Sequence, residues 1–329
     1  MALTTALTEI LGITHPILLA PMDYVSDARL TAAVSAAGAF GILGGGYGDE
    51  PWLKQELDLL DATRQRYGVG FITWSLAKQP HLLDIALAHR PAAIMLSFGD
   101  PAPFAPRIKA AHALLICQVQ SVATARQALA AGCDILVAQG TEGGGHGGTR
   151  GLFTLVPEIA DALGVSVPIA AAGGVADGRG LAAAMMLGAC GVLMGTRFYA
   201  TRESAASDNA KQRVIGAGGD QTLRSRIFDI SRCVAWPEPF TGRCLRNSHA
   251  ERWSGREDEL LRQQAQESAK YAQARKDGNF DIAAVIAGEA CGLIGDVASA
   301  QEVVQTCSRD AQALLARLER TRRPSAVAT

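Results

Sequence analysis

The amino-acid sequence predicts an α/β fold, a (β/α)8 TIM barrel with an added C-terminal helical and irregular subdomain. Three observations predict it. Short apolar runs recur at residues 17–20, 40–43, 69–73, 93–97, 114–118, 135–139, 167–171 and 191–194. None of them alternates with polar residues, as expected for parallel strands covered on both faces. Their ends fall about 21–33 residues apart, the length of a strand, a helix and two loops. A doubly wound open sheet would not require eight strands of such even spacing.

The intervening segments read as helices over residues 27–37, 51–67, 81–89, 105–111, 121–131, 154–163 and 178–187. Several open on a capping residue or proline and close near glycine, as at Ser121 and Gly132. After Phe198 the pattern changes. Residues 202–256 are polar and arginine-rich, with an irregular Trp236-Pro-Glu-Pro-Phe240 segment. Residues 257–274 read as an exposed helix, and 299–318 as an amphipathic one. The expected organisation is a barrel over 1–201, a lid or substrate subdomain over 202–298, and a C-terminal helix packing on the barrel over 299–329. Fraying is expected at 321–329.

Composition narrows the function. The 329 residues are 48% hydrophobic and 19% charged, enough for a large core, and the net charge is −1. Electrostatics therefore gives no reason to expect nucleic acid or an anionic membrane as partner. Seven cysteines lie scattered without a C-x-x-C pair, which fits reduced thiols in the cytoplasm and no metal site. The first ten residues lack a leader pattern, and no uninterrupted run of 18 apolar residues occurs, so neither a signal peptide nor a membrane span is expected.

In such barrels chemistry sits at the C-terminal ends of the strands. Strand one ends at Ala20-Pro21-Met22, strand two at Gly44-Gly-Gly46, strand three at Thr73-Trp-Ser75, strand five at Gln118 and strand six at Gln139. Met22 at an apolar strand end reads by default as core, and Thr73 and Gln118 equally fit loop caps. Gly173-Gly174 follow strand seven, and Gly195-Thr196 follow strand eight. Those two loops commonly form a phosphate site from backbone N–H groups, so a phosphorylated cofactor or substrate is expected.

The stretch Gln139-Gly-Thr-Glu-Gly-Gly-Gly-His-Gly-Gly-Thr-Arg150 places one ionisable ring, His146, among glycines directly after strand six. Glycine permits close backbone approach to a ligand, and histidine titrates near neutrality. A base over a ligand is the favoured reading; a loop histidine bonded to a carbonyl is the plain alternative. Gly143 to Gly148 formally matches G-x-G-x-x-G, but no helix opens directly behind it, against a dinucleotide fold. Glu142 either orients His146 or caps the next helix. His15, His81, His89, His112 and His249 read as structural or solvated.

The motifs Leu19-Ala-Pro-Met22, Gly44-Gly-Gly46, Gly140-Thr-Glu-Gly-Gly-Gly-His146, Ala172-Gly-Gly-Val-Ala-Asp-Gly178 and Met194-Gly-Thr-Arg-Phe198 occur in an order that resembles the nitronate monooxygenases. The resemblance spans nearly the whole chain, to Ala287-Gly-Glu-Ala-Cys-Gly-Leu-Ile294. It implies FMN at the barrel mouth, with phosphate on Gly173, Gly174, Gly195 and Thr196. Ala20, Pro21, Met22, Thr73, Gln118, Gln139 and Gly144 would approach the ring or ribityl chain, and His146 would be the catalytic residue. The implied reaction is oxidation of alkyl nitronates, or nitroalkanes, by O2 to carbonyl compounds and nitrite. Implied partners are that small molecule and O2, with a homodimer left open. The same barrel and motifs also occur in FMN-dependent, NAD(P)H-driven reductases of enoyl thioesters or quinones, and the enoyl reductases share the Gly-Gly-His loop. Leu19-Ala-Pro-Met22 and Gly70-Phe-Ile-Thr-Trp-Ser75 look more like the nitronate group. Glu289 stands where that family often has glutamine.

Overall fold

The computed structural model describes residues 3–164 and 167–322. In chain order its strands are β1 (Ile17–Leu19), β2 (Gly41–Gly44), β3 (Tyr67–Ile72), β4 (Ala93–Ser97), β5 (Leu114–Val119), β6 (Ile135–Gln139), β7 (Gly145–Gly147), β8 (Ile169–Ala172), β9 (Gly191–Met194), β10 (Thr222–Ser225) and β11 (Thr241–Leu245). Eight of them form one parallel sheet in the order β1-β9-β8-β6-β5-β4-β3-β2. A parallel bridge between Leu18 and Phe40 brings the two ends of that sheet together as a barrel.

The all-apolar strands have a direct structural reason. Side chains of one parity point inward: Leu18, Ile42, Met95, Ile116, Val137, Ala170 and Leu193 form one cluster with Leu7 and Leu11 of the helix Ala6–Leu11. Those of the other parity, including Leu19, Leu43, Val69, Ile94, Leu115, Leu136 and Val192, pack under the surrounding helices. Both faces are thus dry. Each strand's next inward position beyond the interior cluster faces the C-terminal mouth.

The helices start where side-chain oxygens accept orphan backbone N–H groups. Asp27, Asp49 and Asp177 cap Ala28–Ala36, Glu50–Thr63 and Gly178–Met186, and Ser121 with Thr124 closes a capping box on Val122–Ala130. The helix expected over 51–67 ends at Thr63, where Arg64 turns into the left-handed region at φ 57°, and Tyr67 already belongs to β3. The helix expected from 154 begins at Leu152. The single helix expected over 257–274 is two, Glu257–Arg262 and Gln264–Lys276, interrupted at Gln263. The second buries Tyr271 and Ala274, so it is not wholly exposed. The C-terminal helix Ala300–Arg322 lies against Gly178–Met186 and Ala28–Ala36. Of the tail expected to fray, residues 323–329 lie outside the described residues.

The largest departure concerns the glycine-rich loop, expected to be irregular. Its centre is β7, which pairs antiparallel with β11; His146 is in register with Gly242 and Gly145 with Arg243. β10 pairs on the other edge of β11. The arginine-rich stretch, expected as part of a lid or substrate subdomain, thus supplies two strands that hold the histidine. Their alternation is hidden in sequence because Arg224 and Arg243 sit half-buried in the sheet.

Candidate active site

The inward positions at the strand ends, Ala20, Ile72, Ser97, Gln118, Gln139, Ala172 and Gly195, open into a cavity of about 530 Å³. Its volume falls within the range of small-molecule sites. Pro21, Met22, Gly144, His146, Gly173, Gly174 and Thr196 also line it. Thr73 does not. β3 ends at Ile72, which takes the inward parity, and Thr73 turns away to start the helix Thr73–Leu76, buried beside Gly99. The expectation for Thr73 is therefore corrected to Ile72.

One side of the cavity is a set of backbone donors. Gly173 and Gly174 adopt φ 107° and 71°, a conformation that a side chain would resist. The N–H groups of Gly173, Gly174, Gly195 and Thr196 donate to no acceptor among the described residues. The Thr196 hydroxyl accepts from the Gly288 N–H at 2.9 Å, tying the segment 287–288 to the end of β9. A Cβ on Gly288 would lie 2.5 Å from the Glu142 carbonyl oxygen and 2.6 Å from the Gly144 nitrogen. Two backbones meet there without room for a side chain. Four such N–H groups on one cavity, three of them on glycine, suit an anionic group such as phosphate.

A second side carries His146. Its Nε2 donates to Asp229, 2.9 Å from each carboxylate oxygen. The ring stacks on Trp236 with centroids 3.4 Å apart and planes 7° from parallel. Trp236 in turn donates from Nε1 to the Tyr47 hydroxyl at 2.8 Å. Burial holds the His146 pKa below the ordinary value, and the bond to Asp229 opposes that shift. Neutral His146 with its Nε2 proton on Asp229 keeps Nδ1 as an acceptor, the form a general base requires.

The strand that carries His146 is itself clamped. Arg224 donates to the carbonyls of Thr141 at 2.9 Å, Gly143 at 3.1 Å and Gly147 at 3.3 Å, and also to that of Thr241. Arg243 donates from Nε to the Thr141 carbonyl at 3.0 Å. Gln139 bridges inward: its amide donates to the His146 carbonyl at 2.9 Å, while its oxygen accepts from Gln118 and Gln120. Glu142 caps Leu152 at 2.9 Å, which resolves its role in favour of the helix. Glu289 pairs with Arg243 at 3.0 Å on a partly exposed side chain and does not line the cavity.

A family model for nitronate monooxygenase matches residues 4–71 and 61–310, nearly the whole described chain. The chain belongs to the nitronate monooxygenase family. It is 36% identical to a nitronate monooxygenase of Metarhizium robertsii, covering 90% of each chain. It is 30% identical to a Mycobacterium tuberculosis protein named (3aS,4S,5R,7aS)-5-hydroxy-7a-methyl-1-oxo-octahydro-1H-indene-4-carboxyl-CoA dehydrogenase, over 94% of this chain and 97% of that one. Among solved structures it resembles FabK from Thermotoga maritima at a TM-score of 0.85 and 27% identity, covering 97% and 99% of the two chains. Membership makes the protein an oxidoreductase, and the barrel is the fold shared with these relatives.

Within that family frame, the sequence missed Asp229, Trp236, Tyr47, Asp23 and Arg232. Asp229 lies 83 positions from His146 in a stretch with no motif, on the helix Ile227–Ser231 that follows β10 of the sheet holding β7. Asp23 follows Met22 directly, so the strand-end rule would have reached it one residue further on. No helix among the described residues is long and apolar enough to cross a membrane.

Proposed function

We propose that this protein is an FMN-dependent nitronate monooxygenase that uses O2 to convert alkyl nitronates to carbonyl compounds and nitrite. Two nitronates and one O2 balance two carbonyl compounds and two nitrites. The carrying observation is the placement of the His146–Asp229 pair on a cavity that also presents unused N–H groups at Gly173, Gly174, Gly195 and Thr196. These residues fit FMN: the four donors would hold its phosphate, and Ala20, Pro21, Met22, Gln118, Gln139 and Gly144 would line its ring and ribityl chain. When bound, FMN supplies electron transfer between nitronate and O2.

The protein's own residues prepare the substrate. With a neutral nitroalkane, His146 removes the α-proton, and Asp229 stabilises the imidazolium that forms. With a preformed nitronate no proton need move. Trp236, Phe98 and Tyr47 wall the cavity with aromatic surface and exclude water beside the base.

The competing reading is an NAD(P)H-driven reductase of enoyl thioesters or quinones; similarity to the carboxyl-CoA dehydrogenase supports it. Anaerobic mixing separates the two. The purified yellow protein should be reduced by ethylnitronate and should consume O2 with it in air. Rapid reduction by NADPH together with no reaction with nitronate would overturn the proposal.

A further inference from the structure

Arg232 follows the short helix Ile227–Ser231, the same helix that aims Asp229 at His146. It lines the cavity, and its guanidinium forms no hydrogen bond and no ion pair among the described residues. Its guanidinium lies over the face of Tyr47, 5.2 Å from the ring centroid, and the carboxylates of Asp23 and Asp229 act on it through space without a hydrogen bond or ion pair among the described residues. An arginine on a cavity wall without an acceptor is unusual, because burying a cation costs free energy unless an anion or hydrogen-bond acceptor meets it. Its flat fork of N–H groups matches a planar anion with two oxygens.

We propose that Arg232 binds the anionic end of the substrate, a planar two-oxygen group such as a nitronate or carboxylate, while His146 works as a neutral base. The identity of the reacting anion rests on the nitronate reading above; the anion site does not. The charge layout supports the division of labour. Arg232 and Arg224 face His146 and disfavour its protonated form, while Asp229 favours it. Arg232 is itself faced by Tyr47, Tyr271, Asp23 and Asp229. Burial pushes the Asp23 carboxyl up to about 6, so above neutrality it is ionised and its charge is constant.

The test is calorimetric titration of the flavin-loaded protein with sodium propionate between pH 7 and 8.5. The wild type should bind it with a Kd that stays nearly flat across that range, because a guanidinium does not titrate there. Arg232→Met should weaken binding by about tenfold or more, and Arg232→Lys, which keeps the charge but not the fork, should fall between. If both variants bind as the wild type does, or the wild type does not bind propionate, the proposal fails. It also fails if the wild-type Kd rises about tenfold per pH unit, the signature of a histidine cation being lost. Arg232-dependent binding in a protein that does not oxidise nitronates would uphold the anion site and overturn the reaction assigned above.

Discussion

At the scale of single residues, the site turns on one hydrogen bond. Burial favours the neutral form of His146, and the Asp229 carboxylate opposes that shift while fixing the tautomer. Asp229→Asn removes the opposing charge, so the His146 pKa should fall further and the acid limb of the pH–rate profile should move to lower pH. The rate plateau should drop too, because a weaker base removes a carbon-bound proton more slowly. A limb that stays in place would show that another group governs it. His146→Ala should cost about 10²–10⁴ in rate with a neutral nitroalkane and far less with preformed nitronate. Equal, negligible losses would remove His146 from the chemistry. Asp23 gives a separate prediction for stability. Its folded pKa, raised to about 6 by burial, lies above the ordinary value. The fold therefore loses stability as pH rises from about 4 through 6, where the unfolded chain ionises first. Asp23→Asn should be more resistant to denaturant than the wild type at pH 7.5 and equal to it near pH 3.5. Equal resistance at both values would show that the carboxyl carries no strain.

At the scale of elements, the glycine-rich segment is the instructive case. Its place after the sixth barrel strand and its histidine were legible, because strand spacing and local composition are short-range signals. Its conformation was not. Three glycine-bounded residues become β7 only because β11, about a hundred positions later, offers a partner, and because Arg224 gathers carbonyls that glycine leaves bare. The same limit explains Thr73: the sequence located the strand end to within one residue, and one residue reverses the facing direction. Arg224 is half-buried and multiply bonded, and burial lowers its pKa to about 10, so it is held by those carbonyls. Arg224→Met should cost about 3 kcal/mol of unfolding free energy, since several buried acceptors lose a charged donor together. It should also loosen β7 and raise the flavin lost on dialysis. A variant as stable as the wild type, with flavin retained, would show that β11 alone suffices to hold the loop.

At the scale of the whole molecule, the C-terminal helix Ala300–Arg322 connects distant parts of the barrel. It packs along Gly178–Met186, the helix that follows the Gly173-Gly174 loop, and Ser308 meets His15 at 2.8 Å near the opposite end of the barrel. The contact is close because residue 178 has no side chain: a Cβ there would lie 2.6 Å from the Ala311 nitrogen and 2.7 Å from the Cys307 carbonyl oxygen. Both are backbone atoms within a helix and cannot step aside singly. The amphipathic pattern of this helix was legible in sequence, but its partner was not, since Gly178 reads equally well as a helix start. Gly178→Val should therefore push the two helices apart and destabilise the protein by about 1–3 kcal/mol or more, a fall of a few °C in Tm. Because Asp177 caps the same helix and the loop before it carries the proposed phosphate donors, flavin release should accelerate along with the loss of stability. A parallel change at Gly164, where an added Cβ meets nothing within 4 Å among the described residues but φ is 63°, strains its own backbone. Gly164→Ala should lower Tm modestly and leave flavin affinity unchanged. If both variants lost flavin in proportion to Tm alone, the C-terminal helix would be a general support with no particular hold on the cofactor loop.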